Sequence, residues 1–359
     1  MELNQTPVRT SKNYGINSIN IEKNAIFAQK IENMAQNGSI FNNYTISGNN
    51  CFETSNNAKT LNSNILNEEL SSEINQKCNF NAKLNFLKNT VKPVIINFNF
   101  DNNNDILIGN LNLNIKSGVN TKIILRFNSE NTISYNNCMI NINMEDESTA
   151  NIVVFNDNIF GSETFLSIES NLAKNANLDL NIVDFASKDS IFSYKSNILG
   201  ENSSSNLNSL YVGVQNSTID LNYMINVLAP NSKTNIDVLG AISGTTRKHF
   251  KGTIDFKKGC KKSVGQENEF CILLSNTAKS KALPMILCTE EDVDGKHSSA
   301  VGKVDEKQLF YVMSRGFTYD QALKILVKAR FNNIISKIFD EDLRIEILNK
   351  IDGKIEWKK

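Results

Sequence analysis

The chain has 359 residues, and its 38 Lys and Arg balance 38 Asp and Glu, so the formal net charge is zero. Because 40% of the residues are apolar, the chain can bury a sizeable core, which excludes a wholly disordered protein. The balanced charge argues against a dedicated nucleic-acid-binding protein. The two histidines exclude most His-rich metal sites and leave little room for histidine-based catalysis.

The sequence also predicts the cellular compartment of the protein. Residues Met1 to Gln5 are polar and lack the apolar segment of a secretory signal. The longest apolar runs, such as Val94 to Ile96, are far shorter than the ~20 residues that span a bilayer. We therefore expect a soluble, cytoplasmic protein with no membrane partner. Its scattered cysteines, with no C-x-x-C pair, are typical of reduced thiols: Cys51, Cys78, Cys138, Cys260, Cys271 and Cys288.

The N-terminal region, residues 1–92, carries the weakest pattern. Ile26 to Met34 fit one short helix, and Ala58 to Leu66 fit another. We expect this region to be partly helical or loosely ordered.

Residues 93–300 carry a strand pattern. Roughly one residue in six of the chain is Asn, and nearly all of these precede Gly240. They alternate with apolar residues, as in the sequence IINFNF at residues 95–100, which is the period of a β-strand. We interpret the Asn residues as outward-facing or turn positions.

Similar turns recur at intervals of roughly 26 to 30 residues, a spacing typical of repeat proteins. No helical pattern of useful length interrupts residues 93–275, which disfavours alternating strand–helix units. Stacked turns can bury one another's apolar residues, so a β-solenoid fits better than a sandwich. The recurring turns lie at residues 117–120, 148–151, 174–177 and 230–232.

Residues 301–359 change to a helical pattern and form a predicted C-terminal helical domain. Asp305 with Gln308 predicts a capped first helix, for which Gly316 is a plausible stop. Thr318 with Gln321 predicts a second helix, with apolar residues at helical spacing as far as Ile338. A third is expected from about Asp342 to Ile351, ending at Gly353.

No familiar catalytic motif is present. The sequence has no phosphate-binding glycine loop, no nucleophile elbow and no legible triad. The acidic segment that begins at Glu290 imitates a calcium loop, but Val301 replaces the required Glu. His297, which follows this segment, is either a turn residue bonded to its neighbours or a metal contact.

Two further clusters have ordinary structural interpretations. The basic residues from Arg247 to Lys262 suggest a nucleic-acid patch, but in a neutral chain a solvated strand pair is favoured. Cys260 and Cys271 flank a predicted hairpin, where core packing is favoured over metal binding.

One stretch is specific enough to indicate a family. Residues 288–316 read CTEEDVDGKHSSAVGKVDEKQLFYVMSRG, and this run resembles the C-terminal signature of the SufB/SufD family, scaffold subunits of the SUF iron–sulfur cluster assembly system. Phe250 to Phe256 resembles the penultimate strand pair of that family. Residues 7–10 (PVRT) and 14–17 (YGIN) resemble the N-terminal motif of SufD-type subunits.

The resemblance implies a right-handed parallel β-helix body with helical ends. It also implies a heterodimer of SufB-type and SufD-type subunits, each carrying a SufC-type ABC ATPase on its C-terminal helices. Clusters form near the dimer interface on Cys, Glu and His ligands, with sulfur supplied indirectly by a cysteine desulfurase. No cofactor is expected to stay bound, and iron or a transient cluster would be shared with the partner.

When the ligand positions of the family are compared one by one with this sequence, the resemblance favours a SufD-type subunit. His297 matches the interface His and is the one candidate ligand for iron or a cluster. The positions of other family ligands hold Ala278, Gly295 and Ser298. Because clusters prefer thiolates, a single imidazole needs further ligands from the partner.

Our first hypothesis is thus a non-enzymatic SufD-like subunit with an ATPase-docking tail. The alternatives are a SufB-like scaffold acting as a homodimer and, more remotely, a β-helix carbohydrate enzyme, which needs a carboxylate pair that does not stand out here. For ATPase docking the candidate contacts, with core packing an equal alternative for the first three, are Phe310, Tyr311, Met313 and Arg315.

Overall fold

The computed structural model describes residues 1–8, 15–22, 24–48, 51–55 and 67–355. The helix predicted at Ala58 to Leu66, and part of the N-terminal motif, lie outside these residues. Among the described residues, no helix has both the length and the apolar character needed to cross a membrane.

Strands dominate the described chain. In chain order they are β1 (Glu2–Leu3), β2 (Ile19–Asn20), β3 (Tyr44–Ile46), β4 (Phe52–Ser55), β5 (Phe80–Phe86), β6 (Val94–Phe100), β7 (Ile106–Ile115), β8 (Asn120–Ser129), β9 (Tyr135–Met144), β10 (Thr149–Asp157), β11 (Glu163–Leu172), β12 (Asn177–Phe185), β13 (Asp189–Ile198), β14 (Ser204–Gly213), β15 (Thr218–Val227), β16 (Lys233–Ile242), β17 (Arg247–Phe256), β18 (Ser263–Leu273), β19 (Lys279–Cys288) and β20 (Val293–Gly302). The helices are α1 (Ala25–Asn37), α2 (Glu68–Lys77), α3 (Glu306–Met313), α4 (Tyr319–Ile335) and α5 (Glu341–Lys354).

From β5 onward, alternate strands join two facing sheets. The even strands β6 to β20 form one parallel sheet, and the odd strands β5 to β19 form the other, so each turn of the chain adds one strand to each sheet. The short strands β3 and β4 add to the first end of the two sheets in antiparallel orientation. The expected parallel β-solenoid is confirmed. The division of the chain into three domains stays a prediction.

The corners repeat as the sequence pattern predicts. At one corner of successive turns a residue adopts a positive φ, and its N–H bonds the next turn, as from Glu147 to the Lys174 carbonyl (2.9 Å). This left-handed conformation is costly for most residues and favours Gly and Asn. The residues at this corner are Gly118, Glu147, Asn175, Asn202, Asn231 and Lys262.

The Asn residues have a structural role that the alternating pattern did not reveal. Six of them occupy one ladder of the odd sheet, and after the first, each side-chain amide donates to the side-chain oxygen of the Asn one turn earlier, at 2.8 to 3.2 Å. Such amide ladders are known to stabilise stacked, in-register strands. The outward interpretation is wrong for others, such as Asn136 and Asn156, which are fully buried. The ladder is Asn85, Asn114, Asn143, Asn171, Asn197 and Asn226.

Helices cover the outer faces of both sheets. The apolar side of α4 and α5, including Phe331 and Ile347, packs against outward-facing residues of the even sheet such as Phe155 and Phe185. The ion pair between Lys337 and Asp237 (2.6 Å) also joins the tail to this sheet. On the odd sheet, α1 and α2 form a separate apolar cluster with β1 and β2.

The predicted helical tail is largely confirmed. Asp305 caps α3 by accepting from the Lys307 N–H (2.8 Å), and the predicted capping box of Thr318 and Gln321 begins α4. The predicted stop at Gly353 is wrong, because Gly353 lies within α5, and the helix continues to Lys354. Ile338 is buried but follows the end of α4.

If the Asn ladder stabilises the fold, removing one of its residues should lower the free energy of unfolding. Asn171→Ala removes two ladder hydrogen bonds, one to Asn143 (3.2 Å) and one from Asn197 (2.9 Å). At about 0.5–1.5 kcal/mol for each bond, the free energy of unfolding should fall by about 1–3 kcal/mol in urea denaturation. The control Asn103→Ala alters an exposed turn residue and should change stability by less than about 0.5 kcal/mol. Equal effects of the two substitutions would contradict a stabilising ladder.

Candidate functional site at the open end of the solenoid

The last turn of the solenoid, β19 and β20, ends both sheets without a covering strand among the described residues. β20 pairs only with β18, and β19 only with β17, so each strand has one unpaired edge. Eight of the ten residues of β20 are exposed. Unpaired strand edges favour pairing with another chain. We call this last turn, residues 279–302, the open end.

His297 lies in the middle of β20 and is exposed. The turn interpretation is therefore wrong, because His297 belongs to a strand. In the parallel ladder it lies opposite Glu267 of β18, so the two side chains leave the sheet on the same face, toward the lumen between the sheets. Ser298, its neighbour, points to the other face and donates to the Asn268 side chain (2.8 Å).

Beneath the open end, the lumen becomes charged. Lys248 and Glu269 form an ion pair in which both side chains are fully buried. Glu269 also accepts from the Ser299 hydroxyl of β20 (2.8 Å), and Lys248 lies 5.4 Å from the ring centre of Phe250. A buried pair of this kind needs its remaining polar contacts satisfied, and Ser299 supplies one of them.

Glu267 is the second carboxylate in this part of the lumen. It is fully buried, and no side chain hydrogen-bonds its oxygens. Its carboxylate lies against Gly252, where a Cβ atom would come within 1.9 Å of Oε1. Burial, and secondly the charge of Glu269, raise the pKa of Glu267 to about 8, although the Met285 backbone lowers it.

The residues of the predicted basic patch lie on both sides of the odd sheet, some facing the lumen and others facing outward. Lys248 faces the lumen, and Lys251 is buried on the outer face of the odd sheet. There Lys251 pairs with Asp220 (2.6 Å), which also accepts from Asn4 (2.7 Å), and burial lowers the pKa of Lys251. The solvated interpretation is therefore wrong for Lys248 and Lys251. His249, 3.5 Å from Asp220, is mostly buried beside this pair.

All six cysteines are free thiols. Cys260 and Cys271 are buried in the main core, as the packing interpretation predicted, but the hairpin predicted between them is wrong, because those residues lead into the single strand β18. Burial raises the pKa of Cys260 to about 11. Cys288 is exposed at the end of β19. Across the described ranges, no group of three or more His, Cys, Asp or Glu side chains lies within metal-binding reach.

The residues predicted for ATPase docking lie on α3, directly after β20, and on the turn that follows. Phe310 is 74% exposed, Tyr311 59% and Met313 39%. Arg315 donates to the Tyr311 hydroxyl (3.2 Å) and lies 5.1 Å from the centre of its ring. A groove of about 470 Å³ runs beside Phe310 and Met313 and reaches β18. We call Phe310, Tyr311 and Met313 the α3 surface.

Sequence reasoning found His297 but missed the charged lumen beneath it. The available signal was the alternation in β18, where Glu267, Glu269 and Cys271 share the face that apolar residues occupy in earlier turns. Charged residues at inward positions of a strand are exceptional and indicate a special role.

The raised pKa of Glu267 predicts how the stability of the folded protein changes with pH. Since its folded pKa of about 8 lies above the value of an exposed Glu, the folded protein holds a proton that the unfolded chain releases. The contribution of Glu267 to stability is therefore largest below about pH 4 and declines as pH rises through about 8, by at most about 1.4 kcal/mol per unit.

Glu267→Gln should remove this dependence, so that the variant gains stability over the wild type between pH 5 and 9 in urea denaturation. Glu291→Gln, at an exposed acid of the open end, serves as the control and should follow the wild type. A constant difference between Glu267→Gln and the wild type across this range would contradict the raised pKa.

Comparison with known proteins agrees with these features. The family model described as "SUF system FeS cluster assembly, SufBD core domain" matches residues 98–330. The chain is 24% identical over 168 residues to the iron–sulfur cluster assembly protein SufD of Bacillus subtilis, and 27% identical over 158 residues to SufD of Escherichia coli. An iron–sulfur cluster assembly SufBD family protein of Mycobacterium tuberculosis is 32% identical over 129 residues.

The matched segments cover 47%, 44% and 36% of this chain. They span 38% of the B. subtilis protein, 37% of the E. coli protein and 15% of the mycobacterial protein. The family model, by contrast, spans well over half of the chain, from β6 to α4. The chain belongs to the SufBD family of iron–sulfur cluster assembly proteins.

Proposed function

We propose that the chain is a non-catalytic, SufD-type subunit of a SUF assembly complex, which pairs with a SufB-type subunit through its open end. The observation that carries this proposal is the unpaired, exposed β20 with His297 at its centre. Family membership and the low-identity matches to two SufD proteins support the same assignment.

Pairing at the open end suits the geometry of a solenoid. The free N–H and C=O groups on the outer edges of β19 and β20 can bond to strands of a second solenoid, which extends both sheets across the interface. The same contact covers the inward-facing side chains of the last turn. A SufB-type partner is then placed directly over His297.

In this arrangement His297 contributes one ligand to iron or to a nascent cluster that is cargo of the complex. Iron–sulfur clusters are held mainly by thiolates, so the partner supplies the remaining ligands. Sulfur reaches the complex indirectly from a cysteine desulfurase. The chain itself performs no bond-making step and holds no resident cofactor.

The α3 surface is the proposed docking site of a SufC-type ABC ATPase. Three large apolar side chains exposed on one short helix are unusual, and such patches mark interaction sites. The surface follows β20 after only a few residues, so movement of the bound ATPase acts close to the open end. Arg315 orients the Tyr311 ring in this surface.

The alternative, a SufB-like scaffold acting as a homodimer, has one observation in its favour, since Cys288 is exposed at the open end. Against it, the matched ligand positions hold Ala278, Gly295 and Ser298, and none of these can bind iron through a thiolate. Within the described part of the chain, nothing favours a carbohydrate enzyme.

The partner role is tested by co-expression with the SufB-type subunit and the ATPase of the same host, followed by affinity purification and native mass determination. A stable complex that contains all three chains is expected. His297→Ala should leave this complex intact and lower the yield of reconstituted cluster. A homodimer that assembles a stable cluster without partners would instead support the scaffold alternative.

The α3 surface is tested by the double substitution Phe310→Ala and Met313→Ala. Loss of two exposed apolar contacts should weaken ATPase binding at least tenfold in isothermal titration while leaving the thermal unfolding temperature within a few degrees. Val91→Ala, at a fully exposed residue of the loop before β6, is the matched control. Wild-type affinity in the double variant would place the ATPase elsewhere.

A further inference from the structure

One corner of the solenoid, the segment that follows each odd strand, alternates in charge from β7 onward. It is basic after β7 and β11, where it holds Lys116 and Lys174, and it is acidic after β9 and β13. The segment after β15, residues 228–231, carries no charge, and the segment after β17, residues 257–262, is basic again. The last segment follows β19 and is acidic. We call it the acidic corner: Glu290, Glu291 and Asp292.

Ion pairs between successive turns accompany this alternation. Lys116 lies 2.5 Å from Glu145 of the next turn, and Lys174 lies 2.6 Å from Glu201 of the turn that follows it. Because the turns stack in register about 4.8 Å apart, an opposite charge at the same corner is attracted and a like charge is repelled. The sign of the charge in one turn therefore constrains the sign in the next.

The acidic corner continues this series above a strongly basic turn. Residues 257–262 read KKGCKK and include four lysines. The two turns are joined by the bond from the Lys262 N–H to the Asp292 carbonyl (2.6 Å), and the Gly259 N–H donates to the Glu290 carboxylate (2.8 Å). On this side the acidic corner thus rests on a basic layer, as the acidic segments of earlier turns do.

On its other side the acidic corner has no such layer among the described residues, because β19 and β20 are the last strands of their sheets. Glu290 is engaged with the turn beneath it. Glu291 and Asp292 are exposed, and within the described chain neither forms an ion pair. These two carboxylates are therefore available to a chain that extends the solenoid.

We propose that the SufB-type partner places a turn rich in Lys or Arg over the acidic corner, so that the alternation of charge continues across the interface. This inference rests on the proposed function and adds the chemistry by which the partner is recognised. A second copy of this chain that presented the same corner would oppose Glu291 and Asp292 with like charges. The acidic corner thus favours a different chain over self-association at this place.

Exposed charges of this kind act mainly on the rate of association. Ion pairs between exposed side chains add little to stability, whereas complementary charge across an interface accelerates encounter and selects the partner. Once the strands have paired, dissociation depends mainly on the backbone hydrogen bonds of β19 and β20. The effect of the acidic corner should therefore appear in the association rate constant and should depend on salt.

The test measures the association of the full-length chain with the SufB-type subunit of the same host by stopped-flow fluorescence. Glu291→Lys together with Asp292→Lys should lower the association rate constant at least tenfold at about 10 mM salt, where the Debye length is about 30 Å. At about 1 M salt, where the Debye length is about 3 Å, the difference should shrink to less than about twofold. The neutral pair Glu291→Gln and Asp292→Asn should show a smaller loss at low salt.

The matched control is Glu53→Lys together with Glu130→Lys, which reverses two exposed charges away from the open end and should associate at close to the wild-type rate. An unchanged thermal unfolding temperature checks that each variant is folded. An equal loss in the control would show a general effect of net charge and would overturn the inference. A wild-type rate in the Glu291 and Asp292 double variant would also overturn it and leave the proposed function intact. If the wild-type chain forms no complex with the SufB-type subunit, the proposed function itself fails.

Discussion

In-register stacking is the constraint on which the rest of this structure depends. Every residue of a solenoid turn lies beside the residue one turn earlier, so a side chain that suits one turn must suit its neighbours. The Asn ladder from Asn85 to Asn226 satisfies this requirement with amide hydrogen bonds. The repeated positive φ at one corner satisfies it for the backbone. The Asn-rich composition is therefore part of how the register is specified.

The stack of turns has a first and a last turn, and the solenoid is closed differently at these two ends. At the first end the antiparallel strands β3 and β4 join the two sheets, and α1 and α2 pack near them on the odd sheet. At the other end β19 and β20 have unpaired edges, and the lumen beneath them holds a buried ion pair and a second buried carboxylate, that of Glu267. The features that make this end costly as a free surface are those that suit it to pairing with a second solenoid.

Much of the fold follows from local sequence signals. The recurring turns, the alternation in residues 95–100 and the caps at Asp305 and Thr318 are all local, and each predicted a feature that the structure contains. The ion pair of Lys248 with Glu269 and the placement of Glu267 against Gly252 join residues 15 to 21 positions apart on different sheets. Such contacts depend on the register between turns, which no local pattern gives. Gly353 shows the same limit, because an isolated Gly does not by itself end a helix.

The central claim is that the open end is where a SufB-type subunit binds. Hydrogen exchange of the backbone amides, measured on the chain alone and in the presence of that subunit, tests it most directly. The account predicts rapid exchange in β19 and β20 of the free chain, and strong protection of the same strands on pairing, with little change from β5 to β16. Unchanged exchange in β19 and β20 when the partner is bound would contradict it.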